Sequence, residues 1–140
     1  SIQQLEPSLI AVQQAIKWAD HIVIFHPIWW GAMPALLKGM FDRIWLPRYA
    51  YSFIRVKGMQ VGWKKLLKGR TSRTFVIQNN NPWLSDFLFG SSRNVLDDAI
   101  LRFVGIKSKR PVTIGSIESA SPSRMERLKN KVAKYGRKGV

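Results

Sequence analysis

Two adjacent tryptophans, Trp29 and Trp30, sit in the stretch His21-Ile-Val-Ile-Phe-His-Pro-Ile-Trp-Trp-Gly-Ala-Met-Pro34. With the small residues Gly31 and Ala32 beside them, they offer a flat aromatic surface, free backbone groups and room for close approach. Such a surface suits a planar cofactor. As an isolated pair they would serve equally as core or as a dimer surface, where aromatic side chains concentrate. Position favours a ligand. Ile22 to Phe25 is a continuous apolar run of the kind covered on both faces in a parallel sheet. Ligands of open parallel sheets bind just beyond the carboxyl ends of strands, where the loop from His26 to Met33 is expected.

Other chemistry is sparse. His21 and His26 are the only histidines. Five apart on one strand and its exit, they point to opposite faces, which argues against a shared metal. With no cysteine there is no disulfide, thiolate metal site or cysteine nucleophile. No two glycines lie two apart, so the dinucleotide fingerprint is missing, as are a phosphate loop and a nucleophile elbow. Asp97 and Asp98 are neighbours on an expected helix, so they face different directions and are expected to be solvated.

Charge is the other chemical feature. The chain of 140 residues carries 23 Lys and Arg against 8 Asp and Glu, a formal +15. That balance favours anionic partners, whether phosphate cofactors, nucleic acid or a lipid surface, unless it is only a solvated cationic surface. Arg55 to Arg73 holds seven basic residues and no acid, and Ser121 to Val140 holds seven against Glu126 alone. No apolar run approaches a membrane span, and the first residues lack a secretory pattern. A cytoplasmic location is the expectation.

The elements that position these residues alternate in type. Leu5, Leu9, Val12, Ile16 and Ala19 predict a first helix ending at Asp20, ahead of the strand at Ile22–Phe25. Pro34 opens a second helix with Leu36, Leu37, Met40, Phe41, Ile44 and Trp45 on one face. Leu46 to Leu67 reads as irregular, aromatic and basic. Thr74 to Gln78 is a second buried strand, followed by the polar run from Asn79 to Pro82. Val95, Leu96, Ala99, Ile100, Phe103 and Val104 mark a third helix capped by Gly105. Val112 to Ile117 is a third strand, and Ser121-Pro122 opens a last helix through Met125, Leu128, Val132 and Tyr135. Such alternation predicts a single α/β domain over residues 1–140, a doubly wound parallel sheet with helices on both faces. Three strands make a thin sheet, so at least one N-terminal strand and its loop are expected to be missing.

The run His26-Pro-Ile-Trp-Trp-Gly-Ala-Met-Pro-Ala-Leu-Leu-Lys-Gly-Met-Phe-Asp-Arg43 closely resembles the signature of the flavodoxin-like NAD(P)H dehydrogenase (quinone) family, with every fixed position matched. This group includes quinone reductases, modulator-of-drug-activity proteins and ancillary subunits of potassium efflux systems. The resemblance continues through Tyr49-Ala-Tyr-Ser-Phe53, Leu66-Leu-Lys-Gly-Arg70 and Phe103-Val-Gly-Ile106. It implies a two-electron reduction of quinones by NAD(P)H through bound FMN or FAD. It places the flavin-binding loop at Pro27, Ile28, Trp29, Trp30 and Gly31, and the second flavin loop at Gln78, Asn79, Asn80 and Asn81. Tyr51 and Phe53 match the aromatic wall of the substrate pocket, commonly shared across a homodimer. The histidine and tyrosine that assist hydride transfer in some members are not placed here, where Trp83, Asp86 and Phe87 occupy the region, so no catalytic residue is assigned.

Family members begin with a strand, a phosphate loop, a helix and a further strand that this chain lacks. In the family's strand order 2-1-3-4-5 the strands present would be 3, 4 and 5, with strand 3 an unpaired apolar edge. Intact alternation and capping favour a fragment of a longer protein over a degenerate copy. The leading expectation is an NAD(P)H:quinone oxidoreductase as the complete protein. The second is a regulatory or interaction subunit with a peripheral membrane or transporter contact. A nucleic-acid partner ranks last, since no recognised motif supports it.

Overall fold

The computed structural model describes residues 4–81, 83–84, 87 and 95–138. Helix α1 (Pro7–Trp18) starts on a proline, whose missing N–H falls where the first turn has no partner for it. Arg70 donates from Nε to the Ile16 carbonyl (2.8 Å) and from Nη2 to that of Lys17, satisfying carbonyls that the last turn leaves orphaned. Strand β1 (His21–Pro27) and helix α2 (Ala35–Ile44) follow. Leu36 departs from the expected apolar face of α2 and is exposed. At about 100° per residue it lies off the stripe through Leu37, Phe41 and Ile44.

Leu46 to Leu67, expected to be irregular, holds an antiparallel hairpin of β2 (Tyr51–Val56) and β3 (Met59–Lys65). Lys57 (φ 49°) and Gly58 (φ 83°) form its turn, the left-handed pair that a two-residue hairpin loop demands. Register shifts between Ile54, opposite Gly62, and Arg55, opposite Gln60, so Val61 is the extra residue of a bulge. That bulge, together with exposure of both faces in the far half, hides the period of two from a reading of the sequence.

Strand β4 (Thr71–Ile77) pairs in parallel with β1 from His21–Thr71 to Pro27–Ile77. Helix α3 is π-helical over Val95–Leu101 and α-helical over Arg102–Val104. Gly105, at φ 105°, closes it as expected. Two short strands, β5 (Lys107–Ser108) and β6 (Val112–Ile114), then run parallel along the other side of β4. They form one line broken at Lys109-Arg110-Pro111, where Pro111 has no N–H for the ladder. The Arg73 guanidinium bridges the break by donating to the Arg110 carbonyl (2.7 Å). The third strand line thus starts earlier than expected, at Lys107, and ends earlier, at Ile114. Helix α4 (Pro122–Lys138) completes the chain.

The parallel sheet has the order β1, β4, then β5 and β6, with helices on both faces as the alternation predicted. Ile16, Phe41, Ile44, Leu96, Leu101 and Val104 form the core on one face, against Ile22 and Ile24. On the other face Phe25 stacks on Phe75 (4.5 Å between centroids), which meets the edge of Tyr135 from α4. Among the described residues β1 has a neighbour on one side only, the edge position that the resemblance implied. The hairpin is fastened to α3 at its near half. Trp63 stacks on Phe103 (4.7 Å) and donates from Nε1 to the Phe103 carbonyl (2.9 Å), while Lys65 donates to that of Arg102 (2.8 Å).

Candidate functional site

Three loops leave the carboxyl ends of β1, β4 and β6 side by side. Backbone hydrogen bonds tie them together: Ile28 N–H donates to the Ile77 carbonyl (2.8 Å), and Gln78 N–H to that of Ile114 (2.9 Å). In the first loop Trp29 and Ala32 exchange both backbone hydrogen bonds (2.8 and 3.0 Å), closing a turn on Trp30 and Gly31. Both turn residues are left-handed, Trp30 at φ 51° and Gly31 at φ 77°. Glycine adopts that conformation freely, whereas a bulky side chain there is an outlier held by its surroundings. The turn lifts the Trp30 ring fully into solvent, and Trp29 beside it is 63 % exposed. Both rings are therefore surface groups at the mouth of the sheet and not core.

In the second loop Gln78 is buried and donates from Nε2 to the Asn80 carbonyl (3.3 Å). Asn79, Asn80 and Asn81 are exposed. Asn79 donates to the Glu118 carboxylate (2.7 Å), which joins the second loop to the third. The third loop turns at Ser116 (φ 50°), and Arg124 holds it by donating to the carbonyls of Gly115 (2.6 Å) and Ser116 (3.2 Å). Glu118 and Arg124 went unseen in the sequence, because both act across the chain. A glycine directly after an apolar strand run, Gly115, is the one signal that could have marked this loop. Pro27, Ile28, Trp29, Trp30, Gly31 and Gln78 to Asn81 thus share one rim. Pro82 and Asp86 lie outside the described residues. Trp83 and Phe87 are exposed, with rings stacked 6.1 Å apart.

Beneath that rim lies a buried polar pair. His26, the residue before the first loop, is buried with Nδ1 against the Pro27 carbonyl (2.9 Å) and no partner for Nε2. Asp97 is 2 % exposed, a correction to its expected solvation; the Thr74 hydroxyl donates to its Oδ1 (3.0 Å) while Oδ2 has no partner. Burial pushes its carboxyl above the ordinary value, and the hydrogen bond from Thr74 and the charge of His26 oppose that rise. The two aspartates do face different directions: Asp98 is exposed and pairs with Arg102 (2.7 Å). Tyr51 and Phe53 are in contact (5.1 Å) on the near half of the hairpin, and the edge of Tyr51 meets Phe103 (5.2 Å).

The rim suits the ring of a flavin. An exposed aromatic face, strained into position, stands beside a loop of exposed carboxamides.

A parallel α/β sheet with these three loops gathered at its carboxyl edge defines the class of protein. Residues 3–138 match the family described as having a flavodoxin-like fold, and the chain belongs to that family. It is 27% identical over 124 residues to NAD(P)H dehydrogenase [quinone] 1 of Rattus norvegicus, an alignment covering 85% of this chain and 43% of that protein. It is 32% identical over 104 residues to a protein of Haemophilus influenzae named as an uncharacterized NAD(P)H oxidoreductase, covering 73% of this chain and 49% of the other. The chain spans about half the length of these curated relatives. Among solved structures, Smu.1420 from Streptococcus mutans is 30% identical with a TM-score of 0.75, over 95% of this chain and 68% of that one. An NAD(P)H:quinone oxidoreductase from Methanothermobacter marburgensis shares the fold at 22% identity, with a TM-score of 0.74 over 96% of this chain and 64% of its own. The resemblance seen in His26 to Arg43 is the family that these matches show.

Proposed function

We propose that this chain carries the ring-binding and substrate-facing part of an NAD(P)H:quinone oxidoreductase that uses FMN or FAD. The observation that carries the reading is Trp30, exposed at φ 51° at the carboxyl end of β1, beside the loop from Gln78 to Asn81. The names of the rat and Haemophilus relatives support it, as do FMN complexes of an NADH-azoreductase from Bacillus anthracis and of general stress protein 14 from Treponema denticola, both of this fold.

A flavin held at this rim would supply two-electron chemistry between NAD(P)H and a quinone. The chain's residues bind and orient. The rings of Trp29 and Trp30 and the backbone at Pro27, Ile28 and Gly31 would border the flavin ring. Gln78 fixes the second loop from below, and the loop from Asn79 to Asn81 would line the ring's edge. Tyr51 and Phe53 wall the quinone pocket, shared in a homodimer. The +15 charge suits phosphate-bearing partners and the second reading, an interaction subunit at a membrane.

Flavin titration followed by visible absorption and fluorescence quenching tests the assignment. We expect Trp30→Ala to weaken FMN or FAD about three- to tenfold, the worth of one aromatic stacking contact. Unchanged affinity in a folded variant would remove Trp30 from the site, and a parent chain blind to both flavins would sink ring binding by this chain.

A further inference from the structure

At the amino edge of the sheet, away from the candidate site, cations gather with little to balance them. A recess of about 650 Å³ opens between the base of the hairpin and the start of β5, lined in part by Lys65, Lys68, Arg102, Gly105 and Lys107. Its lining contains no acid. Arg102 is already paired with Asp98 (2.7 Å), whereas Lys65, Lys68 and Lys107 have no carboxylate partner among the described residues. Gly105 brings two of these lysines together, because a Cβ there would lie 2.9 Å from Lys68 Cγ and 3.0 Å from Lys65 Cβ. Lys65 is fixed further by donating from Nζ to the Arg102 carbonyl (2.8 Å), which leaves ammonium hydrogens for a ligand. A second recess, of about 370 Å³, shares Arg102 and Ser108 with the first and adds Lys109 and Arg110. Its two acids are Asp97, which is buried, and Asp98, which Arg102 neutralises. Together the recesses make one cationic groove along β5 and the break that follows it.

We propose that this groove binds a short phosphate chain, either inorganic oligophosphate or the phosphates of a nucleotide. Like charges held around one recess repel each other until an anion enters. A chain of phosphates supplies several charges and many acceptor oxygens in a small volume. A single carboxylate would leave most of the cations unanswered. A bilayer is broad and flat, and cannot follow the lysines into a recess. No aromatic ring lines the groove to stack on the bases of a single strand.

The groove is separate from the proposed flavin site and does not rest on that reading. Lys107 lies level with Thr71 at the start of β4, whereas Gln78 follows the end of that strand, about 20 Å away at the rise of an extended chain. It therefore does not serve the phosphates of a flavin or of NAD(P)H at the carboxyl edge.

Calorimetric titration of the chain with inorganic tripolyphosphate is the test. We expect Lys68→Gln/Lys107→Gln to weaken binding at least about tenfold, the worth of two charged hydrogen bonds. Gln keeps the Cγ that crosses Gly105, so circular dichroism should be unchanged. Lys131→Gln/Lys134→Gln removes the same charge from exposed positions on α4 and should leave the affinity as it is. An equal loss in both variants overturns the proposal, since net charge alone then holds the anion. Orthophosphate binding as tight as tripolyphosphate overturns it too, as does no binding at all. Adenosine triphosphate separates the two sources: equal affinity assigns the site to the phosphate chain alone, and tighter binding assigns it to a nucleotide. The parent chain offers a second measurement free of substitutions. Bound tripolyphosphate should slow acetylation of Lys68 and Lys107, followed by mass spectrometry, and leave Lys131 and Lys134 unaffected. Uniform labelling of all four overturns the assignment.

Discussion

Trp30 holds a conformation that costs an L-residue about 1–2 kcal/mol relative to glycine. Its ring is fully exposed, so no packing offsets that cost within the fold. We therefore expect Trp30→Gly to raise the free energy of unfolding by about 1 kcal/mol in urea while flavin binding weakens. A loss of stability would mean that the ring is packed in solution. Asp97 shows the same opposition between environment and chemistry. In the unfolded chain its carboxyl ionises near its ordinary 3.8, whereas burial holds the proton to higher pH in the fold. Below 3.8 both states are protonated and the group leaves stability unaffected. As pH rises, the unfolded chain loses the proton first, so stability falls until pH passes the folded value, and the loss persists above it. Asn at this position keeps an acceptor for Thr74 and has nothing to ionise. We expect Asp97→Asn to remove that fall, so that its melting temperature exceeds the parent's increasingly above about pH 4. Parallel pH profiles would show that ionisation here is not coupled to folding.

At the scale of elements, the junction of α3 with the end of the hairpin leaves no room at Gly105. A Cβ on Gly105 would meet Lys68 Cγ at 2.9 Å and Lys65 Cβ at 3.0 Å, at a backbone φ of 105° that side chains rarely adopt. Strain and overlap act together, so we expect Gly105→Ala to cost about 1–3 kcal/mol and to loosen the hairpin. Faster hydrogen exchange at Leu67, whose N–H bonds to the Val104 carbonyl (3.0 Å), would report it; unchanged exchange would show that the junction relaxes without cost. Elements like this explain what a sequence shows and hides. The strand at Ile22–Phe25 and the cap at Gly105 are legible because their causes are local, apolar continuity and a left-handed glycine, although the cover expected on both faces of that strand is missing at the half-exposed Val23 and Phe25. The hairpin is not, because its anchor is Phe103, forty residues from Trp63, and its bulge breaks the alternation. Asp97 is hidden for the same reason: only Thr74, twenty-three residues away, makes its burial intelligible. The candidate site divides likewise. Trp29 and Trp30 stand out by type and by place after a strand, whereas the positive φ of Trp30 and the ties from Glu118 and Arg124 depend on the folded chain.

For the whole molecule, charge and sheet edge act against each other. β1 is an edge strand among the described residues, and Val23 and Phe25 along it are 50 % and 53 % exposed. An apolar recess of about 310 Å³, lined in part by Val12, Ile22, Ile24, Phe25 and Phe41, opens beside it. Such an edge is a template for pairing with another chain. A charge of +15 opposes that pairing, because every approaching copy carries the same sign. Screening shifts the balance, since the Debye length shortens from about 30 Å at 0.01 M salt to about 3 Å at 1 M. We expect the mass seen by light scattering to grow with sodium chloride, beyond any dimer that is independent of salt. Val23→Lys should suppress that growth, since a charge on the strand blunts its edge while the residues of the candidate site stay untouched. The opposite trend, with association strongest at low salt and lost at high salt, would show copies held by opposite charges, and β1 would then be covered by some other part of the protein.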